Sequence, residues 1–399
     1  MYNVIILNAF IDDAYNQENL NDTLDLCRAI DSNVVYVLSK KILRPSPATF
    51  VGKGCVENLK SLCELNNADT VIFNGELSPS QTINISDVVG VPVITRTNLI
   101  LEVFARRALS NEGKILVELA QLRYIYPRLK GQGDSLSRQG GGIGSTGPGE
   151  SKLEMDRRYI KTRIKGLERK LKEVQKRQKL QVYKREKSNV KTVAVVGYTN
   201  VGKSTLVNTL CGSDILELDQ VFATLDLTAR STKIYDEKVI FIDTVGFIRE
   251  LPETLMEAFK STLEIAKYAD LIVCVADASA EFKNQREVAD EILNSIGANQ
   301  NRLYILNKSD IPTRAFIDKD FITVSAKEKV GLTKLKDAVY ERLFGQFTEY
   351  KLEINYESSP VLQKLKTLTM TANIEYLDDK IIVTGLVKRE NVDKIKNII

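Results

Sequence analysis

Residues 191–205 read Lys-Thr-Val-Ala-Val-Val-Gly197-Tyr198-Thr199-Asn200-Val201-Gly202-Lys203-Ser204-Thr205. A β-branched run ends in a glycine, four residues intervene, and Gly-Lys-Ser opens a helical stretch. This is the strand–loop–helix context in which a GxxxxGKS loop wraps a phosphate chain. The backbone N–H groups of residues 200–205 are predicted to meet the phosphates at a helix N-terminus. Lys203 is placed to neutralise the β and γ phosphates, and the Ser204 hydroxyl to ligate Mg2+. The expected fold is α/β, a P-loop domain with this loop at a strand's carboxyl end.

Two further strand ends carry the same kind of chemistry. Val239–Asp243 is an apolar run ending in an acid, followed by Thr244, Val245 and Gly246. Asp243 is expected to hold Mg2+ through water, and the Gly246 N–H to sense a γ-phosphate, which makes Lys203 and Gly246 the catalytic candidates. Between the two motifs lie Phe222, Ala223, Thr224, Leu225 and Asp226. The Thr224 hydroxyl is a candidate to complete the Mg2+ shell, with Thr228 a competing choice.

Base choice is written after a third strand, Leu303–Leu306. Asn307-Lys308-Ser309-Asp310 follows it, and a strand at Phe321–Val324 leads to Ser325-Ala326-Lys327. The Asp310 carboxylate can accept from guanine N1–H and the 2-amino group, donors that adenine lacks. Asn307 can contact N7, the Lys308 stem can pack on the base plane, and the Ala326 N–H can bond O6. In this order after a P-loop, the set selects GTP and GDP over ATP and argues against an ATP-using kinase or transporter subunit.

The residue after Gly246 is Phe247, where many GTPases carry a water-orienting glutamine. Phenylalanine cannot hydrogen-bond water. Hydrolysis is expected to be slow until another group or a partner positions the water; the plainer reading is that Phe247 packs and a neighbouring residue substitutes.

The remainder of the 399 residues divides around this domain. Residues 1–110 alternate short β-branched runs with helical stretches, a second small parallel α/β domain. Gly52-Lys53-Gly54 within it reads as a strand-to-helix turn. Residues 111–189 differ. Ile115, Leu119, Leu122 and Tyr126 make one apolar stripe, and Ile160, Ile164, Leu167, Leu171 and Val174 another, so two helices are expected to fold back seam to seam. Ser151 and Glu154 form a capping box at the second helix. The tip loop, 131–149, holds 8 of the 22 glycines, too much backbone freedom for a packed core. The GTPase domain is assigned to 190–346, and a small α+β domain to 349–399.

Composition narrows the chemistry. There is no histidine, which excludes Ser-His-Asp and Cys-His nucleophiles, HExxH zinc sites and Cys2His2 fingers. The five cysteines include no CxxC pair and read as buried thiols in a reducing compartment. No apolar run is long enough to span a membrane. A cytoplasmic monomer is expected. The net charge of +4 conceals an asymmetry. Arg123–Lys191 carries 20 basic and 7 acidic residues, leaving 36 and 45 for the rest. A polyanion, RNA first, is the partner this favours.

Taken together, the chain resembles the HflX-type GTPases of the Obg–HflX group. The resemblance rests on Phe50–Glu57, Ser137–Gly144, Gly147–Arg158, Phe222–Asp226 and Asp243–Arg249. It implies a GTPase that binds the large ribosomal subunit and its ribosomal RNA, with a role in splitting or rescuing stalled ribosomes under stress. Arg138, Gln139, Arg157 and Arg158 then become candidates for RNA contact. Family members are also credited with an ATPase in the N-terminal domain, where this sequence has no Walker-type motif. Histidines common in the family beside the Ser-Arg-Gln run and after Arg249 are missing. The alternative is an RNA-binding or remodelling protein with a slow GTP timer and no ribosome preference.

Overall fold

A computed structural model of the chain describes residues 2–11, 16–137, 152–187, 190–212, 228–235, 237–247, 263–279, 282–312, 320–355, 369–377 and 379–392, with Leu362, Leu365 and Ile395 individually. The described residues fall into two compact units.

The first unit opens with β1 (Asn3–Phe10), α1 (Asn16–Ala29), β2 (Asn33–Lys41), α2 (Lys53–Leu65), β3 (Thr70–Phe73), α3 (Pro79–Val89), β4 (Val93–Thr95) and α4 (Arg96–Arg107). The strands pair in the order β2-β1-β3-β4, all parallel. A parallel sheet is covered on both faces, which explains why Val4–Leu7 of β1 is an unbroken apolar run. Val4 and Ile6 point to one core with Leu26, Leu99 and Phe104, whereas Ile5 and Leu7 point to the other with Leu59, Phe73 and Ile85. Local signals set the helix ends. Ser78 and Gln81 make a reciprocal capping box on α3, Pro79 opens it, and Gly90 closes it in the left-handed region at φ 82°. Gly52 is the N-cap of α2, as the turn reading of Gly52-Lys53-Gly54 expects.

Two long helices follow, α5 (Asn111–Ser137) and α6 (Lys152–Lys187). Ile115, Leu116, Leu119 and Leu122 of α5 pack on Ile164, Leu167 and Leu171 of α6, the seam that the periodicity predicts. Arg163 grips Glu118 through two nitrogens at 2.6 and 2.8 Å, and Arg123 meets Glu168 at 2.8 Å. Tyr124 fastens α5 to the sheet. It is buried, its hydroxyl lies 2.7 Å from Thr95 Oγ1 and donates to Glu76 at 3.0 Å, and Arg128 lies over its ring. Burial pushes the Tyr124 hydroxyl well above its usual range. One expectation is corrected here. α5 runs on to Ser137, so the tip loop does not begin at residue 131. Each added helical residue gains a backbone hydrogen bond once the helix is nucleated, which offsets the glycine cost of about 1 kcal/mol per position. The remainder of the tip loop, with Arg138 and Gln139, lies outside the described residues.

The second unit holds a six-stranded sheet of order β10-β9-β8-β5-β7-β6. Its elements are β5 (Lys191–Gly197), α7 (Lys203–Cys211), β6 (Thr228–Ile234), β7 (Glu237–Asp243), β8 (Leu271–Asp277), α8 (Phe282–Ser295), β9 (Arg302–Asn307), β10 (Phe321–Thr323) and α9 (Leu332–Phe344). Only β6 is antiparallel to its neighbour. The strands β5, β7, β8 and β9 all run parallel, so their carboxyl ends share one edge. The β6–β7 turn is made by Tyr235 at φ 48°. Its ring meets Tyr340 of α9 at 5.6 Å and Phe347 at 5.8 Å, and its hydroxyl donates to the Asp337 carboxylate.

An antiparallel sheet β11-β13-β12 completes this unit, from β11 (Phe347–Ile354), β12 (Thr369–Tyr376) and β13 (Ile381–Lys388). Its core gathers Ile354, Leu365, Ile381, Val383, Val387 and Ile395. The first strand starts at Phe347, two residues ahead of the domain boundary assigned at 349, and the Phe347 ring is held in the aromatic group around Tyr340. Among the described residues no helix is long and apolar enough to cross a membrane.

Candidate active site

β5 delivers its loop in a conformation that needs glycine at two positions. Asn200 (φ 60°) and Gly202 (φ 83°) are left-handed. A Cβ on Gly197 would stand 2.2 Å from the Val275 carbonyl oxygen, and one on Gly202 2.3 Å from Asn307 Nδ2. Gly202 is the N-cap of α7 and provides no side-chain cap, so the first N–H groups of that helix have no side-chain acceptor at the cap. Such a terminus suits an anion.

Lys203 is buried, with Nζ donating to the Gly197 carbonyl at 3.1 Å and the Tyr198 carbonyl at 2.5 Å. Burial pulls its pKa from 10.5 down to about 8, partly countered by the Asp243 carboxylate. The ammonium is thus already curled into the loop that surrounds it. Ser204 Oγ donates to Asp243 Oδ2 at 2.7 Å, and Asp243 is buried at the end of β7. A hydroxyl and a carboxylate side by side are the hard oxygen donors that Mg2+ takes. Thr244 is locked behind them, its hydroxyl donating to the Val195 carbonyl at 2.9 Å.

The base side is equally tied together. Asn307 Nδ2 donates to the Val201 carbonyl at 2.8 Å, and its Oδ1 accepts the Ala326 N–H at 2.9 Å. The Ala326 N–H, expected to bond the base O6, donates to Asn307 Oδ1 in this structure. One amide staples the P-loop to the 325–327 loop. Ser325, fully buried, donates its hydroxyl to Asp310 Oδ1 at 2.6 Å. That bond holds the Asp310 carboxyl below the usual carboxylate range while the group itself is exposed. Lys327 is exposed beside it.

Thus Gly197, Tyr198, Asn200, Val201, Gly202, Lys203, Ser204, Asp243, Thr244, Asn307, Asp310, Ser325 and Ala326 converge on one sheet edge, with Thr199, Thr205, Lys308 and Lys327 in the same loops. Val245 and Phe247 are buried residues of the first unit, with Gly246 between them. Phe222, Ala223, Thr224, Leu225 and Asp226 lie outside the described residues. Arg157 lies over the Tyr126 ring at 5.8 Å, and Arg158 is exposed on α6. One participant escaped the sequence reading. Asp277, at the end of β8, pairs with Lys308 at 2.8 Å. The signal was present, since Leu271–Asp277 ends an apolar run in an acid as Val239–Asp243 does.

The comparisons agree with this architecture. Residues 17–105 match the family described as GTP-binding GTPase N-terminal, residues 107–185 the GTP-binding GTPase Middle Region, and residues 192–308 the 50S ribosome-binding GTPase family. The GTPase HflX of Caldanaerobacter subterraneus subsp. tengcongensis is 42% identical over 99% of this chain and 93% of its own length. This chain belongs to the HflX GTPase family. The HflX of Escherichia coli K12 is 36% identical over 88% of this chain and 85% of its own. Among solved structures, a GTP-binding protein from Sulfolobus solfataricus in complex with GDP is 24% identical, with a TM-score of 0.49, covering 86% of this chain and 99% of that one. The HflX assignment rests on the sequence relatives, which are similar across the sheets and the helical hairpin alike.

Proposed function

We propose that this HflX-family chain binds GTP with Mg2+ at the β5–β7–β9 edge, docks on the large ribosomal subunit through its basic helical region, and hydrolyses GTP there to split or rescue stalled ribosomes. The observation that carries the nucleotide reading is the Asn307 staple joining the P-loop to the 325–327 loop, with Ser204 against Asp243 beside it.

Each group has a definable task. The residue 200–205 amides and Lys203 hold the phosphate chain, and Lys203 exchanges two carbonyl acceptors for phosphate oxygens as its charge becomes useful. Ser204 and, through water, Asp243 would hold Mg2+, with Thr224 or Thr228 as the third candidate; a cation held there would supply charge neutralisation at the β and γ phosphates. Asp310 reads the guanine edge, pre-aimed by Ser325. Water adds to the γ-phosphorus, the bond to the bridging oxygen breaks, and GDP and phosphate result. Gly246 serves as the γ-phosphate sensor. Phe247, buried and without a hydrogen-bonding atom, leaves the water to be oriented by another group. Contributions of that kind from a partner reach roughly 10³–10⁵ in rate.

Ribosome docking is supported by the family description matched at residues 192–308 and by the charge excess of the helical region. The test is GTP hydrolysis by the full chain with and without purified large subunits, small subunits and total RNA. Stimulation specific to large subunits is expected. Equal stimulation by total RNA would replace this reading with an RNA remodeller.

A further inference from the structure

Lys308 stands in the left-handed backbone region at φ 62°, an uncommon conformation for a residue with a Cβ. The loop that bears it is closed tightly: Ile311 N donates to the Lys308 carbonyl at 3.0 Å, and Ser309 N to the Val324 carbonyl at 3.1 Å. The lysine departs from that backbone toward the end of β8, where its Nζ lies 2.8 Å from Asp277 Oδ2.

Asp277 is built to receive it. Its other oxygen, Oδ1, accepts the Ser279 N–H at 2.9 Å and the Ser279 hydroxyl at 2.6 Å. Its own N–H donates to Gln285 Oε1 at 3.0 Å, and Gln285 is buried in α8. The next residue, Ala278, donates to the Asn307 carbonyl at 2.9 Å. The carboxylate is therefore held at Oδ1 by Ser279 while Gln285 and Asn307 fix the backbone that carries it, which leaves Oδ2 to the ammonium. Side-chain exposures of 13% for Asp277 and 28% for Lys308 place the pair partly out of water, where a charge pair is screened less than at the surface.

We propose that Asp277 is a positioning residue for guanine binding: it tethers the Lys308 ammonium so that the four-carbon stem stands as a fixed wall for the base plane. The inference rests on the reading of the 307–310 and 325–327 loops as the guanine site. A free lysine stem has many rotamers and must surrender them when the base arrives. A tethered one has surrendered them on folding, so less is lost on binding. Two acids at strand ends thus serve the base differently. Asp310 meets its hydrogen-bonding edge, whereas Asp277 never touches it and works through Lys308.

The experiment measures GDP affinity and dissociation rate, and the KM and kcat for GTP, on the full chain carrying Asp277→Asn, Asp277→Glu, Lys308→Met and the Asp277→Asn/Lys308→Met pair. Asp277→Asn is expected to raise the GDP Kd roughly tenfold, mainly through faster dissociation, and to raise KM with kcat unchanged. Asp277→Glu, which keeps the charge, should fall between that variant and the natural chain. The pair should be no worse than Lys308→Met alone. A purely structural role for Asp277 in its Ser279 turn would instead make the two losses multiply, and that result overturns the proposal, as does an unchanged Kd in Asp277→Asn. Should Asp277→Asn fail to fold, Asp277→Glu decides: natural affinity and dissociation rate would overturn the tether. Asp310→Asn in the same assay separates the two readings. If it leaves guanine preference intact, the guanine site itself is wrongly placed; if it moves preference to xanthine while Asp277→Asn does nothing, only the tether fails.

Discussion

Asn307 donates to the Val201 carbonyl across 2.8 Å, joining two loops 106 positions apart in the chain. The same side chain accepts from Ala326, so its loss strands a buried acceptor and a buried donor together. Each costs about 1–3 kcal/mol when left unpaired in the interior. Asn307→Ala is therefore expected to lower the stability of the nucleotide-free chain by about 2–4 kcal/mol. GDP and GTP affinity should weaken together, by about 100-fold or more. Chemical denaturation and GDP titration check the two halves.

Gly202→Ala attacks the same junction from the other side. The added methyl would stand 2.3 Å from Asn307 Nδ2, on a backbone at φ 83°. Nucleotide binding is expected to be lost while the second unit still folds. Circular dichroism alongside GDP binding distinguishes that outcome from unfolding.

Asp310→Asn places an amide donor opposite the guanine 2-amino group, where xanthine carries a carbonyl acceptor, and should shift preference from GTP toward XTP. Ser325→Ala removes the hydroxyl that holds the Asp310 carboxyl down. Its effect is pH-dependent. With that bond gone the carboxyl protonates at a higher pH, so GDP affinity should fail earlier as acid is added than in the natural chain. Competition assays with both nucleotides, repeated across mildly acidic pH, test the pair.

Lys203 gives the alkaline counterpart. Its pKa is lowered by burial to about 8 in the folded chain, against 10.5 ordinarily. The unfolded state therefore binds more protons between about pH 8 and 10.5, and the Lys203 contribution to stability rises with pH across that window. Nucleotide binding runs the opposite way, because phosphates favour the charged amine. GDP affinity should fall above about pH 8, with proton uptake on binding there. Calorimetry in buffers of different ionisation enthalpy measures the uptake, and Lys203→Met should abolish both effects.

In the helical hairpin, apolar contacts outweigh ion pairs. Leu167 is buried in the α5–α6 seam, and Leu167→Ala is expected to cost about 2–5 kcal/mol. Arg163 and Glu118 are exposed, and breaking their bidentate pair should change thermal stability little, and less still at high salt. Denaturation of both variants at two salt concentrations makes the comparison.

The sequence was most legible where a local pattern and the fold demand the same thing. The short β-branched runs of residues 1–110, Val4–Leu7 among them, announced strands, and the spacings of Ile115, Leu119 and Leu122 and of Ile164, Leu167 and Leu171 announced a seam. Gly197, Gly202 and Asp243 were readable because glycine and acid at strand ends have few other reasons to recur in that order. What was not legible is non-local. Nothing near Asn307 says that its amide spends its bonds on Val201 and Ala326, and nothing near Asp277 names Lys308 as its partner. Helix propagation through Gly131 and Gly133 likewise depends on a helix already nucleated upstream, not on local propensity.

Tyr235 has a practical consequence for anyone cutting this chain. Its ring rests on Phe347, one residue beyond the end assigned to the GTPase domain, and Phe347 in turn meets the fully buried Tyr340. A recombinant fragment ending at residue 346 would bare an aromatic patch that the intact polypeptide keeps from water. Poor yield or clumping of such a fragment would reflect the missing ring at its end, and carrying the cut past β11 would keep that ring in place.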